Sequence, residues 1–187
     1  PTGKDQPVFA EGMVRMRGEP VCALVGDAET IAAIRDEDVP VAWEPLLPVS
    51  FEDALADDAQ ALHDHAPGNV LCRGRVVCGD AEAALTAAPH RAEIAVETGF
   101  VEHAYIEPEA GYARRVGDRI EIVACTQTPY MDRDELALIL GVAPAQVRVV
   151  PTATGGGFGG KLDLSLQPMI AVAAWTLGRP VRAVYTR

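Results

Sequence analysis

At 187 residues, with 49% hydrophobic and 23% charged side chains, the chain has ordinary globular composition and is long enough to bury roughly 70% of its unfolded surface. A formal net charge of −11 without clustered Lys or Arg argues against a nucleic-acid partner. No uninterrupted apolar run of about 18 residues occurs, and residues 1–12 lack a basic start followed by an apolar stretch, so neither a membrane span nor a signal peptide is expected and a cytoplasmic location is the default.

In chain order, residues 13–18 (MVRMRG) and 21–26 (VCALVG) predict strands around a Gly-Glu-Pro turn, 28–35 a helix and 39–46 (VPVAWEPL) another strand. The stretch from about 50 to 80 is polar, with only short helical hints such as FEDALA, and reads as a surface connector and domain boundary. Cys22, Cys72, Cys78 and Cys125 show no C-x-x-C spacing, and His63 and His65 flank Asp64 without a second ligand pair. Both groups read as ordinary thiols and solvated polar side chains, not as metal or iron-sulfur ligands. Beyond the connector, residues 80–88 predict a helix capped by Asp80, 91–107 a long interrupted strand, and 113–126 two strands joined at Val116-Gly117-Asp118-Arg119. Asp132 is expected to open a helix through LALILG, with Glu135 at capping-box spacing. A strand over 147–152, the glycine loop, an Ala-rich helix over 164–178 and a strand over 181–186 then form a β-loop-α-β unit.

The glycine loop itself, TGGGFGGK at residues 154–161, is the most informative local feature, with five glycines in the six positions 155–160. Such a loop can turn sharply and bring its N–H groups against a ligand's electron-rich atoms. Phe158, its one bulky side chain, either plugs the loop into the core or walls a pocket. The loop also fits G-x-x-x-x-G-K and G-x-G-x-x-G. The residue after Lys161, however, is Leu162, which cannot hold magnesium, and no Asp or Glu follows Asp163 to bind a ribose. A nucleotide-binding domain is therefore the weaker alternative.

Several segments in order resemble the large, molybdenum-cofactor-binding subunit of the xanthine dehydrogenase and aldehyde oxidase family. Residues 8–27, 41–49, 69–74 and 79–85 are similar to its α/β hammerhead domain, while VEHAYIEPEAGYA (101–113), ACTQTPY (124–130), LGVAPAQVRVV (140–150) and GGGFGGK (155–161) resemble the opening of its cofactor domain. The resemblance implies an α+β chain, with residues 1–80 part of a hammerhead-like domain plus connector. Residues 81–187 would be the N-terminal part of the molybdopterin-binding domain, with mixed sheets and the β-loop-α-β unit. It implies molybdopterin as cofactor, iron-sulfur clusters and FAD on other domains or subunits, and oxidative hydroxylation of a small-molecule substrate with water as oxygen source.

By the same resemblance Gln127 lies beside the metal's oxo group, Phe158 forms part of the cofactor wall, and the backbone at Gly157, Gly159 and Gly160 approaches the cofactor, with no direct metal ligand in this chain. A neutral amide donor and bare backbone N–H groups suit oxo and pterin acceptors. Glu102 and His103 read mainly as a structural, hydrogen-bonded pair. Purine-oxidising relatives carry a glutamate where Leu162 stands, so an aldehyde or a non-purine heterocycle is the expected substrate class. The family's catalytic glutamate lies far downstream, so the chain is expected to be a fragment inactive alone, with the faces of Gln127 and the glycine loop bare and prone to dimerise. The competing reading is a non-catalytic scaffold or interaction module of the same fold.

Overall fold

The computed structural model describes residues 6–186. The chain divides into two compact units, one built mainly of Val41–Phe100, the other of Val8–Pro40 together with Val101–Arg187.

In the first unit, helix α2 (Phe51–Ala54) is held by a capping box between Ser50 and Asp53. Helix α3 (Ala81–Ala87) starts where Asp80 accepts the Ala83 N–H, the cap the sequence predicts. Asn69 ties the polar connector together: its Oδ1 accepts from Leu62 N at 2.8 Å and its Nδ2 donates to the carbonyl of Ala54 at 2.9 Å.

In the second unit, helix α1 (Ala28–Ala33) is capped by Asp27, which accepts from both the N–H and the hydroxyl of Thr30. The main body is a four-stranded sheet made of β1 (Ala110–Val116), β2 (Arg119–Ala124), β3 (Val147–Pro151) and β4 (Val181–Val184), in the order β3-β2-β1-β4. β1 runs antiparallel to β2 and β4, whereas β2 and β3 are parallel, joined through helix α4 (Pro129–Leu140). The two-residue turn between β1 and β2 depends on Gly117 at φ 64°, a left-handed conformation that costs glycine little.

One face of the sheet is covered by α4 and by helix α5 (Gln167–Leu177). The strand period of two points Ile120, Ile122 and Ala124 at the helices, where Leu136, Leu166, Ile170 and Ala171 meet them at 1% exposure or less. Ala113, Ala124, Ala171 and Ala174 are all fully buried, and such small side chains let helix and strand backbones approach closely.

The structure corrects several expectations. The segments 13–18, 21–26, 39–46 and 91–107 form no strand ladder among the described residues; only Ala10 N donates across to the Pro20 carbonyl, at 2.7 Å. Strands need partners for their N–H and C=O groups, and here the apolar residues that suggested pairing, among them Trp43, Ile94, Val96 and Phe100, stay exposed. α4 starts at Pro129, not Asp132, because proline's fixed φ suits the first helical position and its missing N–H costs nothing there. Asp132 therefore lies within the first turn instead of capping it. α5 begins three residues later than expected, at Gln167, with Pro168 in its first turn.

Truncation of Leu136 to alanine should cost about 2–5 kcal/mol in urea unfolding, as for other well-packed core leucines. Val116→Ala, at a half-exposed strand end, should change stability by less than about 0.5 kcal/mol. Equal effects would mean that the sheet–helix interface does not carry the stability.

Candidate functional site

Three segments meet at one end of the sheet: residues 105–109 leading into β1, residues 125–128 leaving β2, and residues 152–166 leaving β3. The strand directions require this meeting, because parallel β2 and β3 end at the same edge and antiparallel β1 begins there.

The glycine loop is clamped by one ion pair. Lys161 Nζ donates to Glu107 Oε2 at 2.8 Å and to the Glu107 carbonyl at 2.9 Å, and the lysine side chain is 1% exposed. The same Oε2 accepts from Gly155 N at 3.0 Å, so a single carboxylate oxygen holds both ends of the loop. The Tyr105 ring lies 4.5 Å from the ammonium, a cation–π contact, and its hydroxyl donates to Glu109. That bond to a carboxylate raises the Tyr105 pKa to about 12. Burial by itself would lower the Lys161 pKa, but Glu107 and the neighbouring negative groups outweigh it and the net shift is upward. The Glu107 carboxyl is held below its ordinary value by the Lys161 bond first and the Gly155 bond second.

Gln127 is locked to the loop. Its backbone N–H donates to the Lys161 carbonyl at 3.0 Å, and its Oε1 accepts from Gly159 N at 3.1 Å and Lys161 N at 3.3 Å. Two backbone donors on the oxygen fix the amide orientation and leave Nε2 as an exposed donor. A Cβ added at Gly157 would lie 2.5 Å from Gln127 Oε1, so close approach demands glycine there. Gly159, at φ +94°, has nothing within 4 Å of an added Cβ: its bare backbone faces open space that a side chain would fill. Phe158 sits at φ 50°, an uncommon and costly conformation for a bulky residue, and its ring is 73% exposed instead of plugging the core.

Thr128 Oγ1 donates to the Leu162 carbonyl at 2.7 Å, and the Leu162 side chain remains 44% exposed beside the loop. Gln167 accepts from Ser165 N at 2.8 Å and reaches the Cys125 carbonyl at 3.5 Å, tying the loop's far end to β2. Glu102 bonds the Ala104 N–H, not His103, whose ring instead lies 3.2 Å from a Cβ added at Gly160. The four cysteines are free, Cys125 being the buried one, and no cluster of metal-ligating side chains forms among the described residues.

Gln127, Gly157, Phe158, Gly159, Gly160 and Leu162 are thus gathered at one edge. The sequence reading missed Glu107 and Lys161 as a pair and the buried Asp132. Glu107 and Lys161 each lie within a recognisable motif, but a contact across 54 positions leaves no local signal. The nucleotide alternative loses support here, since Lys161 is turned inward and α5 starts six residues beyond it.

The chain belongs to the molybdopterin cofactor-binding domain family, whose model matches residues 62–187. It is similar to a probable xanthine dehydrogenase component of Bacillus subtilis, with 37% identity over 98% of this chain and 25% of that protein. It is 30% identical to the nicotinate dehydrogenase large molybdopterin subunit of Eubacterium barkeri, over 98% of this chain and 43% of that protein. The aldehyde oxidoreductase of Desulfovibrio gigas superposes with a TM-score of 0.61 at 28% identity, covering 75% of this chain and 16% of that one. The chain therefore spans less than half the length of these relatives. The exposed Gln127 donor and the bare backbone at Gly159 fit a cofactor rich in acceptor atoms, and need no side-chain charge to do so.

Lys161→Met should cost about 3 kcal/mol, the lower part of the range for a broken buried pair, because Glu107 stays partly hydrated. Since the folded pKa of Glu107 is lowered, its bond to Gly155 should be complete above the ordinary value of 4.5 and be lost as pH falls through the depressed pKa. A Gly155 amide resonance that already shifts between pH 5 and 6 would contradict the clamp.

Proposed function

We propose that residues 81–187 form the N-terminal part of the cofactor domain of a molybdenum hydroxylase and that residues 1–80 contribute part of a hammerhead-like domain and connector. The observation that carries this reading is the Gln127 amide, oriented by Gly159 N and Lys161 N so that Nε2 stands as a free donor beside bare glycine backbone. In this role Nε2 donates to an acceptor on the cofactor, the backbone at Gly157, Gly159 and Gly160 gives close approach, and the Phe158 ring walls the site. Molybdopterin, when bound, supplies the metal centre at which a substrate carbon is hydroxylated with oxygen from water. The chain's own part is to orient and enclose; none of its side chains is assigned as the catalytic base or as a metal ligand, and it is not expected to be active alone.

Leu162 is assigned to the substrate pocket. An aliphatic side chain offers no hydrogen bond to a purine edge, which supports an aldehyde or a non-purine heterocycle as substrate. Iron-sulfur and FAD partners are the proposed route for the electrons, and a cytoplasmic location suits such an assembly. No helix among the described residues is long and apolar enough to cross a membrane.

The test uses the full-length gene product co-expressed with its neighbouring subunits, assayed for molybdenum by elemental analysis and for pterin by fluorescence after oxidation. About one molybdenum per chain is expected, and its absence from a folded protein would favour a non-catalytic scaffold. Gly157→Ala, which pushes a methyl group onto Gln127 Oε1, should lower cofactor content, and Gln127→Ala should slow turnover about 100-fold if Nε2 stabilises developing charge. Preferential turnover of xanthine over aldehydes would overturn the assignment of Leu162.

A further inference from the structure

Phe158 stands at φ 50° with its ring 73% exposed, so burial of its own side chain does not hold this uncommon backbone in place. Among the described residues neither Phe158 nor Gly156 makes a hydrogen bond, whereas Gly155, Gly159, Gly160 and Lys161 each donate one through the backbone. A strained conformation of this kind persists only where its neighbours impose it, and at Gly156 and Phe158 those neighbours act by contact alone.

Four of the five glycines are pressed against protein atoms. A Cβ at Gly155 would meet Glu107 and one at Gly157 would meet Gln127, the clamp and the oriented amide described above. The other two answer to Tyr105. A Cβ at Gly156 would lie 3.1 Å from Tyr105 Cβ, and one at Gly160 would lie 2.9 Å from Tyr105 Cε1. The Phe158 ring crowds the same side of Gly156, with its Cε2 3.0 Å from the absent Cβ. Gly156 is therefore bare backbone shared by Tyr105 and the Phe158 ring, and a side chain there would force one of them away.

Tyr105 is itself fixed from several directions. Its hydroxyl donates to Glu109, a residue 8% exposed, and its ring receives the Lys161 ammonium at 4.5 Å. His103, the other side chain close to Gly160, is exposed and offers no comparable anchor in the protein interior.

We infer that Tyr105 is a positioning residue for Phe158: pinned to Glu109 by its hydroxyl, it braces the loop at Gly156 and Gly160, on either side of Phe158, and so sets where the Phe158 ring stands. The inference rests on the reading that Phe158 walls the cofactor site, and it gives Tyr105 no contact with cofactor or substrate. The brace is separate from the clamp. Glu107 ties Gly155 and Lys161 together at the base of the loop, while Tyr105 supports the turn between them. Loss of the brace frees the Phe158 ring and leaves the base closed.

The test is NMR of the full 187-residue chain, reading the Phe158 ring, the Gly160 Hα protons and the Gly155 amide together. In the wild type a Gly160 Hα stands where the absent Cβ would, so a nuclear Overhauser effect between it and the Tyr105 ring is expected. Tyr105→Phe keeps the ring and its contact with Lys161 but loses the bond to Glu109. The Phe158 ring resonances should then shift and the Gly160 effect weaken, while the Gly155 amide, which reports the clamp, stays in place. Tyr105→Leu should lose the Gly160 effect altogether and shift Phe158 further. Ile122→Val, a change in the buried core of β2, is the control: it should lower stability and leave the Phe158 ring unmoved. A wild type without the Gly160–Tyr105 effect, Phe158 resonances indifferent to Tyr105→Phe, or an equal shift in Ile122→Val would overturn the inference. Should Tyr105→Leu fail to fold, the wild type and Tyr105→Phe decide. Because no cofactor enters this measurement, its failure is distinct from a failure to find molybdenum in the complete enzyme.

Discussion

A buried ammonium must find its negative partner inside the protein, and Lys161 finds it in Glu107, 54 residues earlier in the chain. The rest of the site follows from that pairing. Because the same carboxylate oxygen also holds Gly155, the glycine run is closed like a loop pinned at its base, and its middle is free of charged side chains. Gln127 can then bond Gly159 and Lys161 through its oxygen alone, which turns the amide nitrogen outward. An ion pair that adds little net stability over an apolar substitute still gives the loop one geometry, and that is its use here.

The sheet explains why these residues are neighbours. In a mixed sheet the carboxyl ends of parallel strands gather at one edge, the usual place for a ligand in α/β architecture. β2 delivers Gln127 there and β3 delivers the glycine loop. β1 runs the other way, so its approach, carrying Tyr105, Glu107 and Glu109, passes the same edge. β4 ends there too, with Tyr185 N donating to the Glu109 carbonyl at 2.8 Å. The alanine-lined packing of α5 keeps this frame thin and leaves the edge uncovered by helix.

Strain gathers where the proposed ligand approaches. Phe158 holds an uncommon backbone conformation, flanked by Gly156 and Gly159 at φ +103° and +94°, which glycine adopts at little cost, while the framework beneath them is regular. A hydrogen bond from Gly160 N to the Gly157 carbonyl at 2.7 Å, the Gln127 oxygen and the Glu107 clamp together impose that shape.

From its sequence the chain declared what short-range physics controls. The Asp80 cap, the β1–β2 turn at Gly117-Asp118, the alternation of Ile120, Ile122 and Ala124, and the glycine run before an Ala-rich helix are each written within a few residues. The glycine positions were legible for the same reason, whereas Gln127 stood out only through the resemblance of its TQ-x-P segment to the family. Tertiary structure decided the rest. Strand-like patterning in residues 13–18, 21–26, 39–46 and 91–107 named apolar faces but not partners, and pairing depends on distant chain. Asp132 looked like an exposed cap until Pro129 started the helix three residues earlier and turned it inward. Lys161 closes a G-x-x-x-x-G-K pattern that Leu162 already argued against, and only the fold brought it its partner, Glu107. Local sequence sets which conformations a segment can adopt; burial, and the charges it forces together, selects the one that forms.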